Sequence, residues 1–433
     1  MRHVLIASAV CLVASLLPGD AARAREGGES RTPAPRAASV DATTIHGKVM
    51  AGYQGWFRCP GDPSELGWVH WSRDAQRLTP ETLTFEMWPD MSEYGAAERF
   101  AVPGFTHPDG SPAHLFSSDN AATVLRHFTW MRDYGIDGAW LQQFLVDLPG
   151  GTSPERYPSR RRVLDHVRQA AGQTGRAWAL SYDIAGLPGD RVFDVLTADW
   201  KKLVDERVIA DPRYLHEGGR PVVQVWGFYR GVPSIAMTPD LANRLIDFFH
   251  APGPYRAFVM GGGDWDWRKN PDPAWQAVLR RLDAYAPWNV ANYSTDADGA
   301  KRATVAHWAD DRRAYEEGGG RLWVPVVYPG FAWSNLKREP PGGASAIPRR
   351  GGRFLWEQFH ALAPLKPATV YVAMFDEVDE GTAIFKVTDA PPTQAHFVGH
   401  DGMPSDWYLR LVGEGARMFR GEVPVTGEIP IKP

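Results

Sequence analysis

The chain has 433 residues, enough for a large hydrophobic core and one to three domains. A formal net charge of −4 excludes a polybasic surface for nucleic acid or anionic lipid. The 18 tryptophans are flat amphipathic plates, suited to cores and to stacking on the apolar faces of sugar rings.

The chain begins with Met-Arg-His, an apolar run from Val4 to Leu17, and Ala22-Arg23-Ala24. A cationic start, a short apolar run and a small-residue cleavage site predict a signal peptide over residues 1–24, and hence a protein secreted to the periplasm or the extracellular space. The run is short for a membrane span, and no other long apolar run follows. Residues 25–42 are rich in Pro, Ala, Arg and Ser and read as a flexible leader. Cleavage would remove Cys11 and leave Cys59 as the single cysteine, so no internal disulfide is expected.

From residue 43 to 433 the reading is one α/β domain. Runs with strand character begin near residues 48 (KVMAGYQGWF), 135 (GIDGAWLQQF), 177 (AWALSYDI), 221 (PVVQVWGF), 257 (AFVMGGG), 283 (DAYAPWNVANY), 322 (LWVPVVYPGF) and 369 (TVYVAMFDE). Most are apolar on both faces, as parallel strands covered by helices are. Helical periodicity intervenes: Val124, Leu125, Phe128 and Met131 share a face, as do Val163, Leu164, Val167 and Ala170 before Gly175, and Val195, Leu196, Leu203 and Val204. LANRLIDFFH and GGRFLWEQFHAL follow the same pattern. Eight strand–helix alternations predict a closed (β/α)8 TIM barrel. The rival, an open doubly wound sheet, lacks a Gly-rich phosphate loop after its first strand, and MGGGDWDW leads into Asp and Trp rather than a helix start. Residues 58–118 form an elaborated first loop, with an extra strand expected at 83–88.

Barrel enzymes carry their chemistry at the carboxyl ends of the strands. Those ends offer Tyr53, Gln54 and Trp56, then Gln142 and Gln143, Tyr182 and Asp183, Trp226, Asp264 and Trp265, Asn292 and Tyr293, and Tyr328. Amides, hydroxyls, carboxylates and indoles suit a neutral polyol, with amides and carboxylates for hydroxyls and aromatic plates for ring faces. Each Tyr or Trp also has a plain packing reading.

The eighth run ends in four carboxylates, Asp376, Glu377, Asp379 and Glu380, and Asp376 is expected to bind substrate with the rim. Like charges this close raise one another's pKa. Along a strand Glu377 and Glu380 would point to opposite faces, but if the strand ends near Glu377 and the chain turns helical, residues three apart become neighbours. Two carboxyls about 5 Å apart are what a retaining glycosidase requires, one proton-bearing and one ionised. Two other readings stand beside this one. The four acids could hold a hard cation, although EF-hand spacing is absent. They could also cap a following helix.

The stretch FDEVDEGT resembles the eighth-strand motif of glycoside hydrolase family 99 and the related family 71, typically Asn-Glu-Trp-His-Glu-Gly-Thr in the former. Both glutamates, the Gly and the Thr are kept, with departures at Asp376, Val378 and Asp379. GYQGWF, GIDGAW and VVYPGF resemble the first, second and seventh strands, so the likeness spans most of Ile45 to Gly421. It implies a metal- and cofactor-independent retaining hydrolase of an α-linked oligo- or polysaccharide. Glu377 would be the base on the sugar 2-hydroxyl, giving a 1,2-anhydro intermediate, and Glu380 the general acid/base. A carbohydrate-binding barrel without activity, and a metal-dependent hydrolase using the acidic cluster, are the alternatives. No nucleic-acid or membrane partner is expected.

Overall fold

The computed structural model describes residues 39–317 and 321–433. Eight parallel strands form the central sheet: β1 Lys48–Tyr53, β2 Gly138–Phe144, β3 Ala177–Asp183, β4 Arg220–Phe228, β5 Phe258–Gly263, β6 Ala284–Pro287, a two-part β7 (Leu322–Trp323 and Val326–Val327) and β8 Thr369–Val372. Neighbours follow chain order, and β1 pairs with both β2 and β8. The sheet closes through β7, which bends at Val324-Pro325. Its first half pairs with β6 (Leu322 opposite Ala284) and its second with β8 (Val326 opposite Tyr371). Pro325 has no N–H to give a ladder, yet its carbonyl still accepts from Tyr371 N at 3.0 Å. The (β/α)8 expectation therefore describes the fold, and each of the eight expected strand runs contributes one barrel strand.

The strands are buried almost throughout, because helices cover them outside and side chains fill them inside. The covering helices are α1 Ala121–Asp133, α2 Tyr157–Thr174, α3 Gly189–Asp205, α4 Pro239–His250, α5 Pro273–Leu279, α6 Trp308–Glu316, α7 Arg353–Leu362 and α8 Trp407–Phe419. Local signals set their ends. Asn120 caps α1 by accepting from the N–H groups of Ala122 and Thr123, and Gly175 ends α2 in the left-handed region at φ 70°. Among the described residues no helix is long and apolar enough to cross a membrane.

Residues 54–120, between β1 and α1, lie over the carboxyl mouth of the barrel. An aromatic cluster gives them a core of their own: Trp71 packs between Phe57 (ring centroids 4.2 Å apart) and Phe85 (4.9 Å). The strand expected at 83–88 does not form. Its backbone bonds are divided among several segments, with Thr84 N on Trp71 O, Glu86 N on Val378 O, and Glu86 O accepting from Val398 N, so no ladder develops. The regular strands of this loop are instead the antiparallel pair Phe100–Thr106 and Pro112–Leu115.

The expected signal peptide and most of the expected leader lie outside the described residues. Residues 39–42, the end of that leader, are held against the barrel: Val40 N donates to Gly175 O, Arg213 Nη1 to Ser39 Oγ, and His216 N to Ala42 O.

Candidate functional site

A cavity of about 300 Å³ opens at the carboxyl end of the barrel. Its acidic wall is the segment after β8. That segment does not become a helix. The chain folds back on itself, with Met374 N donating to Thr382 O and Ile384 N to Met374 O, and residues 378–381 make the turn. Gly381 closes it at φ 60°, where an added Cβ would also crowd Ala332 N at 3.1 Å. The expected closeness of residues 377 and 380 thus comes from a turn rather than a helix, and the helix-capping reading has no adjacent helix to cap. Glu377 instead caps the turn itself: Oε1 accepts from Asp379 N (2.9 Å) and Glu380 N (3.3 Å), and Oε2 from Gln54 Nε2 (2.5 Å). Glu380 faces the cavity with no hydrogen bond to its carboxyl among the described residues.

Burial raises every acid of this group. Glu377 is pushed well above the ordinary carboxylate range by burial, then by Glu380 and Asp376, against the N–H donors that favour its charged form. Glu380 is raised to about 7 by burial, with Lys337 pulling the other way. Across the cavity, Asp183 at the end of β3 is also raised to about 7 by burial and then by Glu380, while Ala185 N–H restrains it. Carboxyls raised to about 7 can carry and release a proton around neutral pH, as acid–base catalysis requires. Asp376 does not reach the cavity wall. It is fully buried and accepts from Gln54 N (2.7 Å) and Gly55 N (3.0 Å), pinning the chain where it leaves β1. The substrate-binding reading of Asp376 is corrected to a structural one. Among the described residues no three His, Cys, Asp or Glu side chains are arranged to hold a metal ion.

The other walls are amide and aromatic. Gln54, Trp56, Gln142, Asp183 and Trp226, all expected at the rim, line the cavity. Gln142 Nε2 donates to Tyr371 Oη at 3.0 Å. Met374 also lines the cavity, and Gly52 on β1 makes room for it, since a Cβ there would lie 2.2 Å from Met374 Cε. Trp226 lies beside the GGG of β5: a Cβ on Gly262 would come within 3.0 Å of its indole. That packing accounts for the Gly-rich stretch without any phosphate.

Eight expected rim residues lie elsewhere: Gln143, Trp265 beside His307, Asn292 bonded to Asn289, and the five that follow. Side chains alternate along a strand, so the neighbour of an inward residue points to the helices. Tyr53, next to Gln54, is buried and hydrogen-bonded to His127 Nδ1 of α1 at 2.9 Å. Tyr182, next to Asp183, donates to Asp199 of α3 at 2.8 Å. Tyr328 is buried with its hydroxyl on Asn292 O. Tyr293 sits in a small antiparallel hairpin under Lys301 Nζ, 4.2 Å from its ring centroid. Asp264 accepts from Arg230 N at 3.2 Å and is not on the cavity wall.

Conversely, His70, Phe144, Trp288 and Leu336 line the cavity and were not expected there. Phe144 was within reach, since it stands two residues beyond Gln142 on the same face. Trp288 follows β6, which ends at Pro287 rather than near Tyr293. His70 and Leu336 come from long loops whose course no periodicity reveals.

This architecture has counterparts among solved structures. The chain is similar in fold to a GH99 endo-alpha-mannosidase from Bacteroides thetaiotaomicron, with a TM-score of 0.62 and 15% identity over 87% of this chain and 99% of that one. A second structure of that protein, in complex with BIS-TRIS-propane, gives 0.61 and 16% over 87% and 98%. No protein-family model and no curated protein matches the sequence. The likeness noted in FDEVDEGT is thus accompanied by a likeness of the whole barrel.

Proposed function

We propose that the protein is a secreted glycoside hydrolase that cleaves an α-linked glycan with retention, using Glu377 and Glu380. One observation carries the reading: at the carboxyl mouth of the barrel, two glutamates three residues apart share a turn and line one cavity with aromatic plates, yet differ in hydrogen bonding. Glu377 receives three N–H donors suited to a carboxylate. Glu380 receives none and is held near 7. When Glu380 carries the proton, its repulsion of Glu377 disappears and the donors favour the Glu377 carboxylate.

In the first step Glu377 takes the proton of the sugar 2-hydroxyl, the freed oxygen closes on the anomeric carbon, and Glu380 protonates the departing glycosidic oxygen. In the second, Glu380 takes a proton from water, water attacks the anomeric carbon, and the opened 2-oxygen recovers its proton from Glu377. The closure on the 2-oxygen is what the family resemblance implies. Two inversions give net retention. Trp226 and Trp288 would stack against sugar faces, while Trp56 and Phe144, already stacked on each other, would bound the cavity with their edges. The cavity, about 300 Å³, is at the small end of the range for small-molecule sites.

The test is turnover of the protein on a panel of α-linked glycans, with and without chelator, reading products by chromatography and the first-formed anomer by NMR. Product with the starting anomeric configuration, unaffected by chelator, is expected. Binding without product would leave a glycan-binding barrel, and loss of turnover with chelator would leave the metal-dependent alternative.

A further inference from the structure

His70 is held more tightly than a loop histidine needs to be. It lies on the long first loop in the left-handed region, at φ 63°, a conformation disfavoured for any residue with a Cβ. Thr84 Oγ1 donates to its carbonyl at 2.6 Å. Its ring stacks on Trp56 at 3.7 Å with planes 8° apart, and Trp56 stacks in turn on Phe144 at 4.9 Å. Nδ1 lies 3.0 Å from Asp379 Oδ2, on the turn between the two glutamates. One ring face and one ring nitrogen are thus occupied. The side chain keeps 23% of its exposure, lines the cavity, and has no protein partner at Nε2 among the described residues.

The proton between His70 and Asp379 can be placed from their neighbours. Asp379 is 4% exposed, takes no backbone N–H or guanidinium hydrogen bond, and its Oδ1 has no partner. Burial, then Glu377, Glu380, Glu86 and Asp376, oppose its charge. Burial, then Arg160, Arg156 and Arg58, oppose a charge on His70. The carboxyl therefore keeps the proton and donates it to Nδ1, which leaves the hydrogen of the neutral ring on Nε2.

We propose that His70 is a substrate-positioning residue: clamped by Asp379 and Trp56 as the neutral Nε2–H imidazole, it donates a hydrogen bond to an oxygen of the bound sugar. The pair then adds no net charge beside Glu377 and Glu380. This inference rests on the glycan reading of the cavity but not on turnover.

Two substitutions separate positioning from a clamp that merely supports the fold. The amide of Asn reaches the place of Nδ1, and that of Gln the place of Nε2. In a Glu380→Gln background, the affinity for an α-linked manno-oligosaccharide is measured by calorimetry with His70, His70→Asn and His70→Gln. Asn should weaken binding roughly three- to tenfold, the range of one lost hydrogen bond, and Gln should restore most of it. In the unsubstituted protein, ring ¹⁵N shifts should report His70 as the neutral Nε2–H form near neutral pH. Undiminished binding by His70→Asn, rescue by Asn rather than Gln, or an imidazolium or Nδ1–H ring would overturn the proposal. Binding that responds as described, in a protein that cleaves nothing, would sink the hydrolase reading and leave this one standing.

Discussion

Replacing Glu380 by Gln should stabilise the fold while removing its chemistry, and the size of the gain can be worked out. The carboxyl is raised from its ordinary 4.5 to about 7 by burial. That rise from 4.5 to about 7 is worth ~3 kcal/mol, at about 1.36 kcal/mol for each tenfold change in proton affinity. Because Glu380 faces an open cavity, solvent screening leaves roughly 1–2 kcal/mol of that. The sign follows from proton binding. A carboxyl whose pKa rises on folding binds its proton more tightly in the native state. It therefore favours folding fully below the unfolded value near 4.5, and that contribution is lost as pH climbs through about 7. Gln never charges and loses nothing. Urea titrations of both proteins should then agree at about pH 4 and diverge above pH 7, with the variant ahead by roughly 1–2 kcal/mol at about pH 8.5. A variant less stable at both values, or a difference independent of pH, would refute the assignment of Glu380 as a strained, donor-free carboxyl.

Three further outcomes follow from the same geometry. Turnover should fall along an alkaline limb near pH 7 as Glu380 loses the proton it must donate, and a flat kcat/KM profile between about pH 6 and 8 would contradict this. Tyr53→Phe removes a buried hydroxyl from His127 on the helix side of β1, so chemical denaturation should show a loss of about 1 kcal/mol with turnover within about twofold. A large loss of turnover with unchanged stability would return Tyr53 to the rim. Trp226→Ala should raise KM roughly two- to tenfold, the worth of one stacking contact, with a smaller change in kcat; an unchanged KM would place the sugar elsewhere.

The barrel was legible because its signals are local. Apolar strand runs and 3.6-residue stripes need no long-range information, and features such as Gly175 after α2 mark their own ends. The site was legible where a strand continues straight to the mouth. Gln142, Asp183 and Trp226 stand on strands, and Gln54 and Trp56 just beyond one. Errors arose where strand ends were read without their alternation. Tyr53 and Tyr182 are each one residue from an inward position and so face α1 and α3. Tyr328 likewise follows directly on β7 but faces α7, against Phe354 and Gln358. Tyr293 failed for another reason: β6 is four residues long and ends at Pro287, earlier than the aromatic run suggests. His70 had no readable signal, since its place depends on a loop whose hydrogen bonds reach Val378, Lys386 and Val398. The acidic cluster was conspicuous from the start. Its division of labour was not, because four of the donors to it come from backbone N–H groups that any residue carries, at Gln54, Gly55, Asp379 and Glu380.

The central claim, that Glu377 and Glu380 perform base and acid work on a glycosidic bond, is tested most directly by one kinetic comparison. Wild type, Glu377→Gln and Glu380→Gln are assayed on an α-linked glycan and on the matching nitrophenyl glycoside, with thermal melts to certify folding. Gln54 can turn its unpartnered Oε1 toward the new amide, so the Glu377→Gln protein should remain folded. Each variant should lose at least about a hundredfold on the glycan. On the nitrophenyl substrate, whose leaving group needs little acid help, Glu380→Gln should lose distinctly less, while Glu377→Gln should lose heavily on both. Near-wild-type turnover by both folded variants would contradict the assignment and remove the chemistry from this turn.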